Sequence, residues 1–485
     1  MFAAYLSSGL FLGWSLGAND ASNVFGTAVG SRMIRFRTAA IYCSIFVILG
    51  AVISGAGASH TLGKLGSVNA IAGAFIVAFA AGFSVYLMTR ARFPVSTSQA
   101  IVGAIIGWNM FSGSVTDLTS LTKIVSTWIF CPILAGIFSI LLYLLTAWVI
   151  RTLKIHMFKL DALTRWSLLL AGIFGSYSLG ANNIANVMGV FVPVAPFESI
   201  SFLAFTFSSA QQLFLLGGIA IAVGVFTYSR HVMETVGRGI FDLTPVAACV
   251  VVWSHSLVLF IFSSQTIERW LQAHGLPSLP LVPVSSSQAI VGAVIGIGLL
   301  KGGRAIRWRT VAGITSSWVV TPVIAAIISL ISLFFLQNVF QQETYHPVHY
   351  SLDRETLTYL DRQGIPTKHL KELLWQEYPN AVAFKKAVES VTPLDREAVA
   401  RVIRAASLDN LKITKDKLDQ LTSSSLTPAQ LEALRSLEGR IFLHRWQFEQ
   451  ALARKSSEFR PRPGDPAHNA RIESLLQFLY VKFRQ

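Results

Sequence analysis

Two short patterns place hydroxyl, amide and carboxylate side chains among apolar residues. The first, Pro94-Val95-Ser96-Thr97-Ser98-Gln99, returns as Pro283 through Gln288 with Thr97 replaced by Ser286. Proline donates no N–H and turns the residue before it away from helix, so each pattern is a natural break and restart. A restarted helix offers free N–H groups and the positive end of its dipole, a combination that favours an anion. Ser96, Thr97, Ser98, Gln99, Ser285, Ser286, Ser287 and Gln288 are therefore candidate contacts for a tetrahedral oxyanion. One such run alone is more simply read as serines capping or back-bonding their own helix; two near-identical runs at matched places favour binding.

The second pattern runs from Gly17 to Gly26 and returns from Gly180 to Gly189. Asp20 is the lone carboxylate inside an apolar stretch of the first copy, and such an acid costs at least a few kcal/mol unless paired, protonated or coordinated. Glycines at 17, 26, 180 and 189 are expected to let the helix unwind, with Asn19, Asn23, Asn182, Asn183 and Asn186 bringing amide oxygens beside Asp20. Oxygen ligands of this kind suit Na⁺, and the carboxylate alone suits H⁺. The plainer reading is a protonated or asparagine-bonded acid that serves helix packing. His255 has two readings, a proton relay or anion contact and an ordinary interhelical hydrogen bond, and the second is the default. Gln211 and Gln212 are expected to act as interhelical glue.

The elements that must hold these groups are membrane helices. Of 485 residues, 53% are hydrophobic and 13% charged, well below the roughly 25% charge of a soluble domain. Residues 1–344 carry 18 Lys/Arg and 8 Asp/Glu, and residues 345–485 carry 22 and 17, so the first part reads as lipid-embedded and the second as aqueous. The net charge of +15 sits in short basic clusters between apolar runs, which points to membrane topology and away from nucleic acid. Cys43, Cys131 and Cys249 stand singly in apolar runs and are expected to be buried free thiols. The amino terminus has no basic region before its first apolar stretch, so no cleaved signal peptide is expected.

Apolar stretches near residues 2–30, 38–58, 69–89, 94–112, 124–150, 166–193, 201–227, 243–263, 281–300 and 310–337 suggest ten passes, some re-entrant. Clusters at Arg32–Arg37, Arg90–Arg92, Arg151–Arg165, Arg230–Arg238 and Lys301–Arg309 occupy alternate connections, against Lys64, Lys123 and Arg269 on the other side. The positive-inside rule then puts both termini outside the cytoplasm, in a multi-pass protein of the plasma (inner) membrane. Twelve of fourteen positions match between Pro94–Gly107 and Pro283–Gly296, six of ten between the glycine-bounded patterns, and Trp128 and Pro132 are echoed by Trp318 and Pro322. Five passes per copy is an odd number, so the second copy enters upside down. The expected fold is an all-α membrane protein of two inverted repeats, residues 1–165 and 166–340, with discontinuous helices and a soluble α-helical extension over 341–485. Secondary transporters build a midplane site between such repeats. In the extension, Thr427-Pro428-Ala429-Gln430 reads as a helix start.

At these motifs the chain resembles the inorganic phosphate transporter (PiT) family, which includes the sodium–phosphate cotransporters. The resemblance rests on Gly17–Asp20, Gly180–Asn183, Pro94–Gln99 and Pro283–Gln288 and covers residues 1–337. It implies an all-helical fold with inverted repeats and uptake of inorganic phosphate driven by Na⁺ or H⁺, with no other cofactor. It also implies phosphate contacts at Ser96, Thr97, Ser98, Ser285, Ser286 and Ser287, and ion-site or neighbouring groups at Asn19, Asp20, Asn23, Asn182 and Asn186. Asn183 departs from the family's usual Asp, which removes a titratable charge and leaves the coupling ion open.

The leading expectation is a symporter and not an enzyme. Sulfate is also a tetrahedral oxyanion, so a sulfate permease is the alternative. An intramembrane serine hydrolase needs a base in reach, and the serine runs are duplicated where the histidine is not. A passive anion channel would be poorly lined by Asp20. Oligomeric state stays open.

Overall fold

The computed structural model describes all residues except 1, 67, 91–94, 198–199, 203–204, 231–232, 234–242, 277–279, 305, 420, 422–425, 463–464 and 485. Arg92, Pro94 and Arg238 of the sequence patterns thus lie outside the described residues. The chain forms two compact units, one of residues 1–108, 116–195 and 210–344, the other of 109–115, 196–209 and 345–485.

The first unit is built from α1 (Phe2–Gly30), α2 (Phe36–Ser54), α3 (Ala56–Leu65), α4 (Ile71–Arg90), α5 (Thr97–Ser112), α6 (Leu118–Leu153), α7 (Met157–Met188), α8 (Ser209–Thr227), α9 (Pro245–Ser263), α10 (Gln265–Ala273), α11 (Ser286–Leu300) and α12 (Trp308–Asn338). Side-chain caps set several starts: Asp117 accepts from Thr119 N–H before α6, and Thr244 precedes Pro245 at the first position of α9. Among the described residues α2, α4, α6, α8, α9 and α12 are long and apolar enough to cross a membrane. The helices α5 and α11, of 16 and 15 residues, reach only about 24 and 22 Å, short of the roughly 30 Å of hydrocarbon. They begin where the Pro-Val-Ser patterns interrupt the chain.

The expected unwinding at Gly17 and Gly180 is not found. Both α1 and α7 run unbroken through these glycines, whose role is close approach. A Cβ on Gly17 would lie 2.0 Å from Ile221 O, and one on Gly180 2.1 Å from Val47 O. The same contact recurs at Gly50 against Tyr177 O and Gly224 against Trp14 O. So α8 is pressed onto α1, and α2 onto α7, by backbones touching where no side chain intervenes. Gly103 and Gly292 likewise meet Pro322 O and Pro132 O, at 2.1 Å each, which joins α5 to α12 and α11 to α6. Lipid offers no hydrophobic drive between helices, so van der Waals contact of this closeness is what holds them. The uncovered faces of α6 and α12 carry Phe130, Ile133, Leu141, Val319 and Phe334, all exposed by protein and suited to acyl chains.

In the second unit, β1 (Ile200–Phe202) and β2 (Phe205–Phe207) form an antiparallel pair in which Ile200 faces Phe207. The carboxyl-terminal part contains helices, as expected, and short strands that were not. The strand β3 (His349–Ser351) lies between β4 (Glu377–Tyr378) and β5 (Ser407–Leu408), and β6 (Leu411–Lys412) pairs with β7 (Ile441–Phe442). Residues 349–391 and 411–455 follow one path of strand, helix, helical turn or helix, strand, helix. In each the second strand is approached through a left-handed residue, Trp375 (φ 66°) or Gly439 (φ 77°). The N–H of that residue donates back to Leu352 O or Ile413 O. Each path packs into a core completed by the helix that follows it, one around Leu352, Leu360, Phe384 and Val402, the other around Leu434, Phe448, Leu479 and Phe483. Thr427 makes the expected capping box with Gln430.

Asp353 caps α13 (Arg354–Arg362) by accepting from Thr356 N–H at 2.6 Å. Partial burial pushes its carboxyl up, but nearby His444 and Thr356 outweigh this and hold it near about 2. A folded value below the unfolded 3.8 means the cap stabilises above that pH and fails as pH falls through 2. Amide exchange over 354–362 is expected to accelerate between pH 4 and 2 more than in Asp353→Asn, measured at matched intrinsic rates. Equal acceleration would remove the carboxylate from the account.

Gly292→Ala is expected to destabilise the membrane unit by about 1–3 kcal/mol or more, read as a lower melting temperature in detergent. Gly63→Ala, where a Cβ meets nothing within 4 Å, is the control and should be neutral or stabilising. Equal melting of the two variants would contradict the close-packing role.

Candidate functional site

The breaks before α5 and α11 are closed by their own serines. Ser96 Oγ accepts from Gln99 N–H at 3.3 Å, and Ser285 Oγ accepts from Gln288 N–H at 3.2 Å. The N–H groups of Thr97, Ser98, Ser286 and Ser287 precede the first intrahelical bonds and are not consumed by the helix ladder. All eight residues of the two serine runs are buried, none more than 2% exposed. Groups that would ordinarily face water are thus placed deep in an apolar unit.

Asparagines from α1 and α7 pin the extended chain that leads into each short helix. Asn19 Nδ2 donates to Val95 O at 3.2 Å and to Asp20 Oδ1 at 3.2 Å. Asn182 does more at the matching place: its Nδ2 donates to Val282 O at 3.2 Å and its Oδ1 accepts from Val284 N–H at 2.9 Å. That amide pairs with the backbone as a neighbouring strand would. One turn further along, the contacts cross between the copies. Asn23 Nδ2 donates to Ser286 Oγ at 3.1 Å. Asn186 Nδ2 donates to Ser98 Oγ at 2.8 Å and to Asn183 Oδ1 at 2.9 Å. Ser98 Oγ lies 3.2 Å from Val284 O and 3.5 Å from Asn183 Oδ1. The serine runs and the asparagine clusters thus meet in a buried polar centre through Asn23 and Ser286, and through Ser98 with Asn183, Asn186 and Val284 O. Asp20 meets its neighbour Asn19, and among the described residues Thr97 Oγ1 has no partner.

His255 joins this centre, with Nε2 2.9 Å from Ser286 Oγ. It is fully buried on α9. Gln211 donates to Val52 O at 3.3 Å, in keeping with its expected interhelical role. Four participants have no signature in the sequence. The carbonyls of Val95, Val282 and Val284 act through backbone, which residue type does not reveal. Cys131, placed by sequence only among buried thiols, sets Sγ 3.8 Å from Ser285 O.

The centre is not self-sufficient. Among the described residues, Thr97 Oγ1, Asn183 Nδ2, Gln99 Oε1, Gln288 Oε1, Asn186 Oδ1 and His255 Nδ1 are buried with no partner. A buried polar atom left unpaired costs about 1–3 kcal/mol, so several together mark a place where solute or water completes the bonding. The atoms differ in kind. A hydroxyl, an amide N–H and free helix N–H groups suit an anion, whereas amide oxygens with the Asp20 carboxylate suit a cation or a protonated oxygen. Asp20 is 1% exposed, and no Lys or Arg among the described residues forms an ion pair with it.

Comparison with known proteins agrees with this chemistry. Residues 16–329, and again 276–406, match the profile described as the Phosphate transporter family. A protein of Methanocaldococcus jannaschii provisionally named a phosphate permease is 30% identical over 321 residues, which cover 66% of this chain and 93% of the relative. A Haemophilus influenzae protein with the same provisional name is 26% identical over 420 residues, covering 68% of this chain and 96% of its own length. A solved structure titled "The sodium-dependent phosphate transporter" superposes with a TM-score of 0.54 at 23% identity, covering 69% of this chain and 98% of its own. At that identity it speaks for the fold alone.

Asn182→Ala unties both Val282 O and Val284 N–H. Amide exchange at Val284 is expected to rise about tenfold, the equivalent of one net hydrogen bond, measured by exchange mass spectrometry over 280–290. Unchanged exchange would show that the entry to α11 is held by something else.

Proposed function

The chain belongs to the phosphate transporter family and is a multi-pass membrane protein, and from that premise we propose that it is a secondary transporter importing inorganic phosphate together with a cation. The observation that carries this reading is the burial, in one apolar unit, of two helix starts together with unpaired donors, unpaired amide oxygens and the Asp20 carboxylate, which accepts from Asn19. A bare dianion in a low-dielectric site is prohibitive, and each cation bound beside it lowers the net charge moved. Phosphate is held between Ser96–Gln99 and Ser285–Gln288. The cation sits with Asp20 and the amides of Asn19, Asn23, Asn182, Asn183 and Asn186. The unpaired oxygen on Asn186 favours Na⁺ over H⁺, since it coordinates a hard cation but does not titrate.

Access alternates by rocking of two inverted repeats, residues 1–165 and 166–340, with 341–485 a separate extension. The reciprocal glycine contacts support the repeat: Gly17 on Ile221 answers Gly180 on Val47, and Gly103 on Pro322 answers Gly292 on Pro132. The unequal counts of basic residues place Arg32, Arg151 and Lys301 in the cytoplasm and both termini outside a plasma membrane. Sulfate is the second reading, because the donors do not by themselves distinguish it. Phosphate is favoured because its protonated oxygen can donate to acceptors such as Gln99 Oε1 and Gln288 Oε1, as fully ionised sulfate does not.

The test is labelled-phosphate uptake into proteoliposomes with Na⁺ and pH gradients imposed separately. Arsenate is expected to compete and sulfate not, with accumulation following the Na⁺ gradient. Asp20→Asn should reduce accumulation by about 100-fold, the loss of one strong charge-assisted contact. Wild-type accumulation by that variant would exclude the cation role, and preferred uptake of sulfate would replace the substrate.

A further inference from the structure

Ser286, at the start of α11, shares its hydroxyl with two other helices. Asn23 Nδ2 of α1 donates to Ser286 Oγ at 3.1 Å, and His255 Nε2 of α9 lies 2.9 Å from the same oxygen. A hydroxyl has one proton and two lone pairs. Asn23 fills one lone pair, so His255 decides where the Ser286 proton points. If Nε2 is bare it takes that proton, and Ser286 has none for a ligand. If Nε2 carries hydrogen it fills the second lone pair, and the proton must point away from both helices.

The other ring nitrogen weighs on the choice. His255 is fully buried, and its Nδ1 has no partner among the described residues. With its hydrogen on Nδ1, the ring would bury an N–H that donates to nothing, and orphaned donors are the rarer kind of unpaired group. With its hydrogen on Nε2, the ring spends its N–H on Ser286 and leaves only a bare acceptor behind. What remains is the Ser286 O–H, which an anion oxygen completes. Thr97 holds the matching place in the first copy, and its Oγ1 has no partner among the described residues. Ser98 differs: Asn186 donates to it, and Val284 O at 3.2 Å can take its proton. Thr97 and Ser286 thus each have a proton to give, whereas Ser98 spends its own on protein.

We propose that His255 is a positioning residue for the anion: by donating from Nε2 it makes Ser286 an obligate donor, so that an ionised oxygen of the tetrahedral anion binds there. The inference rests on the transport reading above and adds to it a residue that acts only through Ser286. A protonated phosphate oxygen must then face an acceptor such as Gln288 Oε1, because two donors cannot share one bond.

The test joins a spectrum to a binding measurement. The full chain, labelled with ¹⁵N-histidine and reconstituted in lipid, is read by solid-state NMR at saturating inorganic phosphate. Of its ten histidines, the one whose resonances vanish in His255→Gln is His255. A protonated Nε2 is expected with phosphate bound. In equilibrium binding of labelled phosphate, His255→Leu should weaken affinity about tenfold, the equivalent of one hydrogen bond. His255→Gln keeps an N–H donor and should stay within about threefold of wild type. In a Ser286→Ala background, His255→Leu should add less than about twofold, since nothing is left for the ring to orient. A bare Nε2 with phosphate bound, or the same loss from His255→Leu with and without the Ser286 hydroxyl, would overturn the proposal. The spectrum uses the wild-type ring, so it decides even where a variant fails to fold. If the chain binds sulfate and not phosphate, the substrate reading falls, and the spectrum taken with sulfate decides the role of His255. If neither anion binds, the transport reading falls and this proposal with it.

Discussion

Inside hydrocarbon a backbone or side-chain polar group has no water to turn to, so it must bond to protein or to something the protein binds. This constraint shapes the membrane unit. Most of the chain satisfies it with unbroken helices, including α1 and α7, which cross their own asparagine clusters without interruption. Among the described residues, two short stretches that enter buried helices do otherwise, before Thr97 and before Ser286, where Asn19 takes up Val95 O and Asn182 takes up Val282 O and Val284 N–H. The asparagines relieve the breaks, and the breaks expose the helix starts. Neither feature is stable without the other.

Helix proximity is the second requirement, since an amide side chain reaches only a few ångströms. The centre is within reach because glycine removes the side chains that would separate the backbones around it. Tight packing and the polar contacts therefore sit side by side on each helix: Gly17 and Gly180 stand two positions from Asn19 and Asn182. A rigid frame around unpaired donors costs no further ordering when an anion arrives, which is the advantage of preorganisation.

Much of this was legible in the residues. Pro94 and Pro283 announce breaks because proline withholds an N–H, and the repetition of Ser-Thr/Ser-Ser-Gln marks the two breaks as a matched pair. The polar side chains named from sequence are the ones that meet. What escaped was of another kind. The expected unwinding failed at Gly17 and Gly180, because glycine permits both a kink and a close contact and only the neighbouring helix decides between them, whereas at Gly189 α7 does give way to a 3-10 turn. The partners Val95, Val282 and Val284 act through carbonyl and N–H groups common to every residue. Strands of two or three residues, such as β4 and β6, are too short to show alternation, and Trp375 occupies a left-handed position where Gly439 stands in the matching turn. The Thr427 capping box, by contrast, is local in sequence and was readable.

The central claim is that the helix starts at Thr97 and Ser286 share one tetrahedral anion. Anomalous diffraction at the arsenic edge from crystals equilibrated with arsenate tests it directly. The account predicts a peak within hydrogen-bonding distance of both Thr97 or Ser98 and Ser286 or Ser287. A peak confined to one serine run, or none there while uptake is intact, would contradict it.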